Sequence, residues 1–140
     1  MKLTIQGEPV AKGRPRVCKW GTYTPAKTVN YETLIKEMFM VEHGEKLRGA
    51  LRLFVIAYFS IPKSASKKNR EKMIKWEIRP TKKPDLDNIM KIVSDALNTL
   101  AYDDDSQIVS ATIKKFYSDE PRLFISVEET EELESEVSDG

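Results

Sequence analysis

Residues 50–61, ALRLFVIAYFSI, are the most strand-like stretch of the chain: long, rich in β-branched and aromatic side chains, and stopped by Pro62. Arg52 and Ser60 interrupt it, and it is too short to cross a bilayer. Upstream, Pro25 suits a first helical position after Thr24 as cap, and Tyr31, Leu34, Ile35, Met38 and Phe39 then recur at helical spacing until about His43-Gly44. Before that helix, Lys2–Gln6 alternates as a first strand, residues 7–16 (GEPVAKGRPR) form a loop by their Gly and Pro content, and Val17–Thr24 is β-like with Trp20-Gly21 closing a hairpin.

Downstream, Ser66 precedes a short basic helix, Lys67–Trp76, and Pro84 keeps Lys83 extended. A third helix is predicted over about Asp87–Leu100, with Ile89, Ile92, Val93, Ala96, Leu97 and Leu100 on one face. Ser106–Phe116 and Arg122–Val127 read as a closing antiparallel pair across Asp119-Glu120-Pro121. The order β, β, α, β, α, α, β, β predicts a single α+β domain over residues 1–127, a small mixed or antiparallel sheet flanked by helices.

The 140 residues suit one domain, and 40% hydrophobic against 32% charged leaves enough apolar side chains for a core, which excludes a fully disordered chain. The first residues lack the apolar segment of a signal peptide, so the chain reads as soluble and cytoplasmic with no membrane partner. One cysteine, Cys18, and one histidine, His43, exclude an internal disulfide, a thiolate cluster and a His-based metal site. Any chemistry must therefore come from carboxylates, Lys and Arg. The net charge of +1 conceals a segregation. Residues 128–140 hold seven acidic side chains and no basic one, which leaves 23 basic against 15 acidic, or +8, over residues 1–127. A basic body is the footprint of a nucleic-acid binder. The acidic end reads as a solvated, disordered tail or as a DNA mimic that covers the basic face.

Two acidic segments carry the candidate chemistry: Asp85 and Asp87 in KPDLDN, and the run Asp103-Asp104-Asp105. In an extended segment residues two apart project to one side, and the helix that Asp87 would cap is expected to return the chain so that the second run folds beside its start. Clustered carboxylates repel one another unless a proton or a cation sits between them, and oxygen-only ligands favour Mg²⁺ or Mn²⁺. Lys91, one helical turn beyond Asp87, points the same way and would stabilise charge developing on a phosphate. With no Ser/His or Cys/His set, phosphodiester hydrolysis by metal-activated water fits these residues. Each feature alone has a plainer reading: Asp87 as a helix cap, Asp103–Asp105 as a turn, Lys91 as one end of a solvated pair with Asp87 or Asp95.

Residues 63–83 add nine basic and two acidic side chains, among them Lys67, Lys68, Arg70, Lys82 and Lys83, and lead straight into Asp85. Lys12, Arg14, Arg16 and Lys19 form a second basic cluster beside Trp20 and Tyr23. Both suit contact with backbone phosphates, against the plainer reading of solvated lysine faces.

Taken together, GEPVAKGRPR, IPKSASKKNR, KPDLDNIMKIVSDAL and YDDDSQIV followed by Lys114-Lys115 resemble the RusA family of Holliday junction resolvases, in the versions found in prophages and Gram-positive bacteria. The resemblance spans roughly residues 7 to 115. It implies a Mg²⁺-dependent endonuclease that acts as a homodimer on four-way DNA junctions, cutting two strands of like polarity in recombination and repair. By the DLDN-x-x-K motif, Asp85 and Asp87 take the positions of metal-binding aspartates and Lys91 that of an essential lysine. Asn88 matches the asparagine of that same motif and would orient the aspartates; by the DDSQI motif, Asp105 takes the third metal position, with Asp104 supporting it. Asp103 is an additional aspartate, and the acidic tail belongs to no motif of the family. The alternatives are a structure-selective DNA-binding protein without catalysis and a metal nuclease for other branched DNA.

Overall fold

In the computed structural model, which describes residues 1–11, 16–23 and 26–131 (backbone alone at 16–18 and 23), residues 50–61 become strand β4, Leu51–Ser60. Along it Leu51, Leu53, Val55, Ala57 and Phe59 are buried, while Phe54, Ile56 and Tyr58 between them are half-buried on the other face. A strand apolar on both faces belongs inside a sheet. With β1 (Lys2–Gln6), β5 (Ile108–Ser118) and β6 (Arg122–Glu129), it forms a four-stranded mixed sheet in the order β1-β6-β4-β5. β4 runs parallel to β5 and antiparallel to β6, and β1 is antiparallel to β6. β2 (Arg16–Cys18) and β3 (Gly21–Tyr23) form the separate hairpin expected around Trp20-Gly21.

The expected pairing of the last two strands does not occur. β5 and β6 are antiparallel and separated by only three residues, yet β4 lies between them. Spanning two inter-strand spacings takes about 10 Å, within reach of that short connection. The central place goes to the strand with the most apolar surface to hide.

One face of the sheet is covered by α1 (Ala26–Glu42) and α3 (Leu86–Leu97). α1 contributes Tyr31, Ile35 and Phe39, one turn apart, and α3 contributes Ile89, Ile92, Val93, Ala96 and Leu97; these join Leu3, Ile5, Leu123, Ile125 and Val127 in a single core. α1 ends where Gly44, at φ +74°, turns left-handed and donates its N–H to the Phe39 carbonyl at 3.1 Å. The third helix, α2 (Lys67–Ile74), is capped by Ser66, whose hydroxyl accepts the Asn69 N–H at 3.2 Å, and it buries no residue. The segment that follows α2 lies against the opposite sheet face at β5. There Trp76 packs on Phe116 at 4.5 Å between ring centroids, and the Arg79 guanidinium sits 3.8 Å over the same ring.

The acidic end of the chain begins later than its composition suggested. Glu128 and Glu129 belong to β6, and the Glu129 carboxylate accepts the Arg48 N–H at 2.9 Å. Residues 132–140, to which the tail reading applied, lie outside the described residues. No described helix is long and apolar enough to cross a membrane.

Candidate functional site

The KPDLDN segment is built onto the free edge of β5. Alternation along β5 puts Lys115 on the same face as buried Ala57 of β4, towards the helices, where a lysine needs partners. It finds them in the chain entering α3. Its ammonium donates to the carbonyls of Lys82 at 2.6 Å and Pro84 at 2.9 Å. Arg79 Nε donates to the Lys115 carbonyl at 2.6 Å, so the 79–84 segment runs along the strand edge and is tied to it at three points. The Lys83–Pro84 peptide bond is cis.

α3 then starts one residue earlier than expected and ends three residues earlier, at Leu97, so Leu100 lies beyond it. Asp85, not Asp87, is the N-cap, with extended backbone (φ −74°, ψ 155°), and its carboxylate makes no capping hydrogen bond. Asp87 lies in the first helical turn, where the helix dipole favours its charge. Both side chains are exposed, and among the described residues neither has a hydrogen-bond or ion-pair partner. Asn88 behind them is half-buried. Lys91 shares the exposed face of α3 with Asp87 but leans the other way, with Nζ 3.9 Å from the Asp95 carboxylate.

The Asp103–Asp105 run sits at the far end of α3. The Asp105 N–H donates to Asn98 Oδ1 at 3.1 Å, just past the C-terminus of the helix. Tyr102 is buried beneath the run, with its hydroxyl donating to the Ser94 carbonyl at 2.8 Å. Burial, and then the charges of Asp105, Asp95 and Asp104, push the Tyr102 phenol well above its usual range, so it stays protonated. The three aspartates of the run have separate fates. Asp103 is held by Lys46 at 2.9 Å, a hydrogen bond and ion pair that lower its carboxyl below the ordinary value. Asp104 accepts the Ser106 hydroxyl. The side chain of Gln107 turns back to accept the backbone N–H groups of Asp103 and Asp104, at 2.9 and 3.0 Å. Asp105 alone has no side-chain partner among the described residues.

The expected return of the second run beside the start of α3 is therefore not seen. The eleven residue steps of α3 span about 16 Å at the rise of an α-helix. Along the strand, Lys115 at the Asp85 end and Ile108 next to Asp105 are seven steps apart, roughly 23 Å. Carboxylates that share one Mg²⁺ must each reach within about 2.1 Å of it. Among the described residues no group of three His, Cys, Asp or Glu side chains could hold a metal ion. The donor chemistry suits a hard cation, but within one chain the geometry does not collect Asp85, Asp87 and Asp105 around it.

Of the expected DNA-binding residues, Lys67 and Lys68 are exposed on α2 and Arg70 is half-buried there, while Lys82 and Lys83 are exposed immediately before Asp85. Lys12 and Arg14 lie outside the described residues, and Arg16 is described by its backbone in β2. Trp20 is 88% exposed, with the Lys19 ammonium 5.5 Å from its ring centroid. Lys115 was not among the expected site residues. Its signal was a lysine in phase with Ala111, Ile113 and Tyr117 on the inward side of a strand.

Residues 6–128 match the family model for endodeoxyribonuclease RusA, a span that includes both acidic segments and every described basic residue named above as DNA-binding. The chain is also 42% identical over 136 residues to the uncharacterized protein YqaN of Bacillus subtilis (strain 168), an alignment covering 92% of this chain and 96% of that one. By the match over residues 6–128, most of its length, the chain belongs to the RusA endodeoxyribonuclease family.

Proposed function

We propose that this protein is a Mg²⁺-dependent endodeoxyribonuclease that resolves four-way DNA junctions as a homodimer, with paired nicks that serve DNA recombination and repair in the cytoplasm. The observation that carries the reading is the family match across residues 6–128, which takes in both aspartate segments together. Asp85, Asp87 and Asp105 are exposed and make no side-chain contact among the described residues, which leaves their carboxylates accessible to a cation and is compatible with that reading.

RusA-family nucleases are metal-dependent, and Mg²⁺ (or Mn²⁺), if held by Asp85, Asp87 and Asp105, would supply an activated water and polarise the scissile phosphate. The chain's own residues do the rest. Lys115 and Arg79 hold the backbone that presents Asp85 and Asp87. Lys91, one turn into α3, neutralises charge that builds on the phosphate, exchanging its long contact with Asp95 for the substrate. Lys82 and Lys83 draw the anionic backbone to an otherwise anionic pocket, and Lys67, Lys68 and Arg70, with Lys12, Arg14 and Arg16, hold the junction arms.

The distance between Asp105 and the Asp85–Asp87 pair favours a second reading, a structure-selective DNA-binding protein without catalysis. One assay separates the two. Purified protein is incubated with an immobile four-way junction, a flap and a linear duplex, in Mg²⁺ and in chelator, and the cut positions are mapped. The proposed function requires symmetrical, Mg²⁺-dependent paired nicks in the junction alone; binding without nicks selects the second reading, and preferred cutting of the flap selects another branched substrate.

A further inference from the structure

Between the end of β4 and the chain entering α3 lies a cavity of about 180 Å³. Its apolar walls are rings: Phe59 of β4, Tyr117 of β5, Pro62 and Pro80. Glu8 adds a carboxylate to the lining, and Lys82 and Lys83 add two exposed ammonium groups. Lys115 ties this cavity to the Asp85 end of α3. Its ammonium lies 5.9 Å from the centre of the Phe59 ring and 2.9 Å from the Pro84 carbonyl, and Asp85 is the next residue. A nucleotide whose phosphate meets Asp85 and Asp87 therefore has the cavity within reach of its own base or its neighbour's.

The fold holds Glu8 in place without using up its carboxylate. Gly7, at φ +103°, turns the chain out of β1 and donates its N–H to the Pro121 carbonyl at 3.0 Å, which fixes the start of the loop. Both Glu8 oxygens then accept the Ser60 N–H, at 3.3 and 3.2 Å. Strong bonds to a carboxylate are shorter, about 2.7–2.9 Å, and a single N–H leaves most of its lone pairs open. Among the described residues the Lys82 and Lys83 ammonium groups and the Tyr117 hydroxyl have no hydrogen-bond or ion-pair partner. Flat apolar walls, one acceptor and two cations are the surroundings that a nucleobase and its phosphates need. A carboxylate only accepts, so it favours a base edge that donates: the exocyclic amino group of cytosine, adenine or guanine, where thymine has only carbonyl oxygens and no amino group. The cavity is too narrow for a base pair, so the base enters unpaired, as a base next to a branch point can.

Resting on the nuclease reading, we propose that this cavity receives one unpaired nucleobase beside the cut, and that Glu8 selects a base bearing an exocyclic amino group. Lys82 and Lys83 hold the phosphates around that base, so the segment that presents Asp85 also sets which step of the strand is cut. Glu8 is then a specificity residue, and cleavage follows the base sequence as well as the branch.

Base analogues test this. In a set of immobile junctions, each base close to the branch point is replaced in turn by its counterpart without the amino group, uracil for cytosine and hypoxanthine for adenine or guanine, with the opposite base changed to keep the pair. For the wild type, the replacement at one position should slow nicking about tenfold, the size of one lost base contact. Glu8→Gln keeps an acceptor for the Ser60 N–H and gains an amide donor that suits a carbonyl edge. It should cut the analogue junction faster than the wild type does and bring the ratio to about twofold or less, a gain that a merely structural Glu8 would not give. A circular dichroism melt checks that the variant folds. A wild type that cuts every analogue junction at the parent rate overturns the proposal, and so does a Glu8→Gln protein that keeps the tenfold ratio. Should the wild type cut no junction, the nuclease reading fails, and gel shifts of the same junctions in chelator decide the role of the cavity. A tenfold ratio of Kd values that Glu8→Gln removes then upholds base selection by Glu8, and equal Kd values overturn it.

Discussion

Lys115→Met removes the ammonium that ties the start of α3 to β5 and keeps a side chain of similar length against Phe59, whose ring centroid is 5.9 Å from Nζ. Two hydrogen bonds from a charged donor are lost, to the carbonyls of Lys82 at 2.6 Å and Pro84 at 2.9 Å. Bonds to charged groups contribute about 1.5–3 kcal/mol each when buried. Lys115 is half-buried and the two bonds share one donor, so about 2–4 kcal/mol for the pair is a reasonable expectation. In a chain of this length that corresponds to a midpoint lowered by roughly 5–12 °C in a thermal melt. The catalytic consequence is larger than the loss of stability. The freed segment carries Asp85, and a displacement of about 1 Å at a reacting centre costs on the order of a hundredfold. We expect kcat on a four-way junction to fall by about that factor, while KM, set by surface lysines that the change leaves alone, moves about twofold or less. Lys115→Arg, which restores a donor to one or both carbonyls, should recover a part of kcat. A Lys115→Met protein that melts lower but cuts at the wild-type kcat would refute the reasoning, since the lysine would then be a stabilising contact with no role in positioning Asp85.

Replacing Asp85, Asp87 or Asp105 by Asn should abolish cutting while junction binding, followed by gel shift, persists or tightens as repulsion with phosphate is relieved; retained cutting by any one variant removes that residue from the proposed site. Asp103→Asn should leave cutting at the wild-type rate, because its carboxylate is engaged with Lys46; in an NMR titration, Lys46→Met should move the Asp103 carboxyl back up to the ordinary range. The Asp103–Lys46 pair contributes at neutral pH and is lost as pH falls through the depressed value of Asp103, but both partners are exposed, so the melting temperature should hardly register it. Lys67→Ala with Lys68→Ala should reduce the slope of log K against log salt by about 1–2, with the deficit in affinity greatest at low salt; an unchanged slope places both lysines off the DNA.

Much of the architecture was legible along the chain. β4 and the apolar face of α3 are local patterns, one a run of β-branched and aromatic residues and the other a 3.6-residue period; β4 appears within a residue of where its pattern places it, whereas α3 ends at Leu97, three residues short, and leaves Leu100 beyond the helix. The start of α3 was harder to read, since Asp85 and Asp87 are both good N-terminal residues and the ties from Lys115 and Arg79 favour the earlier cap. The order of strands was not legible at all. A short connection between β5 and β6 suggests a hairpin, but the sheet places its most apolar strand between them.

The sequence by itself determined which residues are chemically able to act: aspartates without histidine or cysteine, a lysine one turn along the helix, and basic segments leading into them, all inside one recognisable family pattern. Only the tertiary structure decided where they stand. Spacing within a helix fixes neighbours one turn away, whereas Asp105 is carried to the far end of α3 by a turn anchored on Asn98, and Lys115 reaches Pro84 across 31 residues because a parallel strand returns beside the segment. Such long-range placement follows from the burial of the whole core, a sum over many side chains that no single motif encodes.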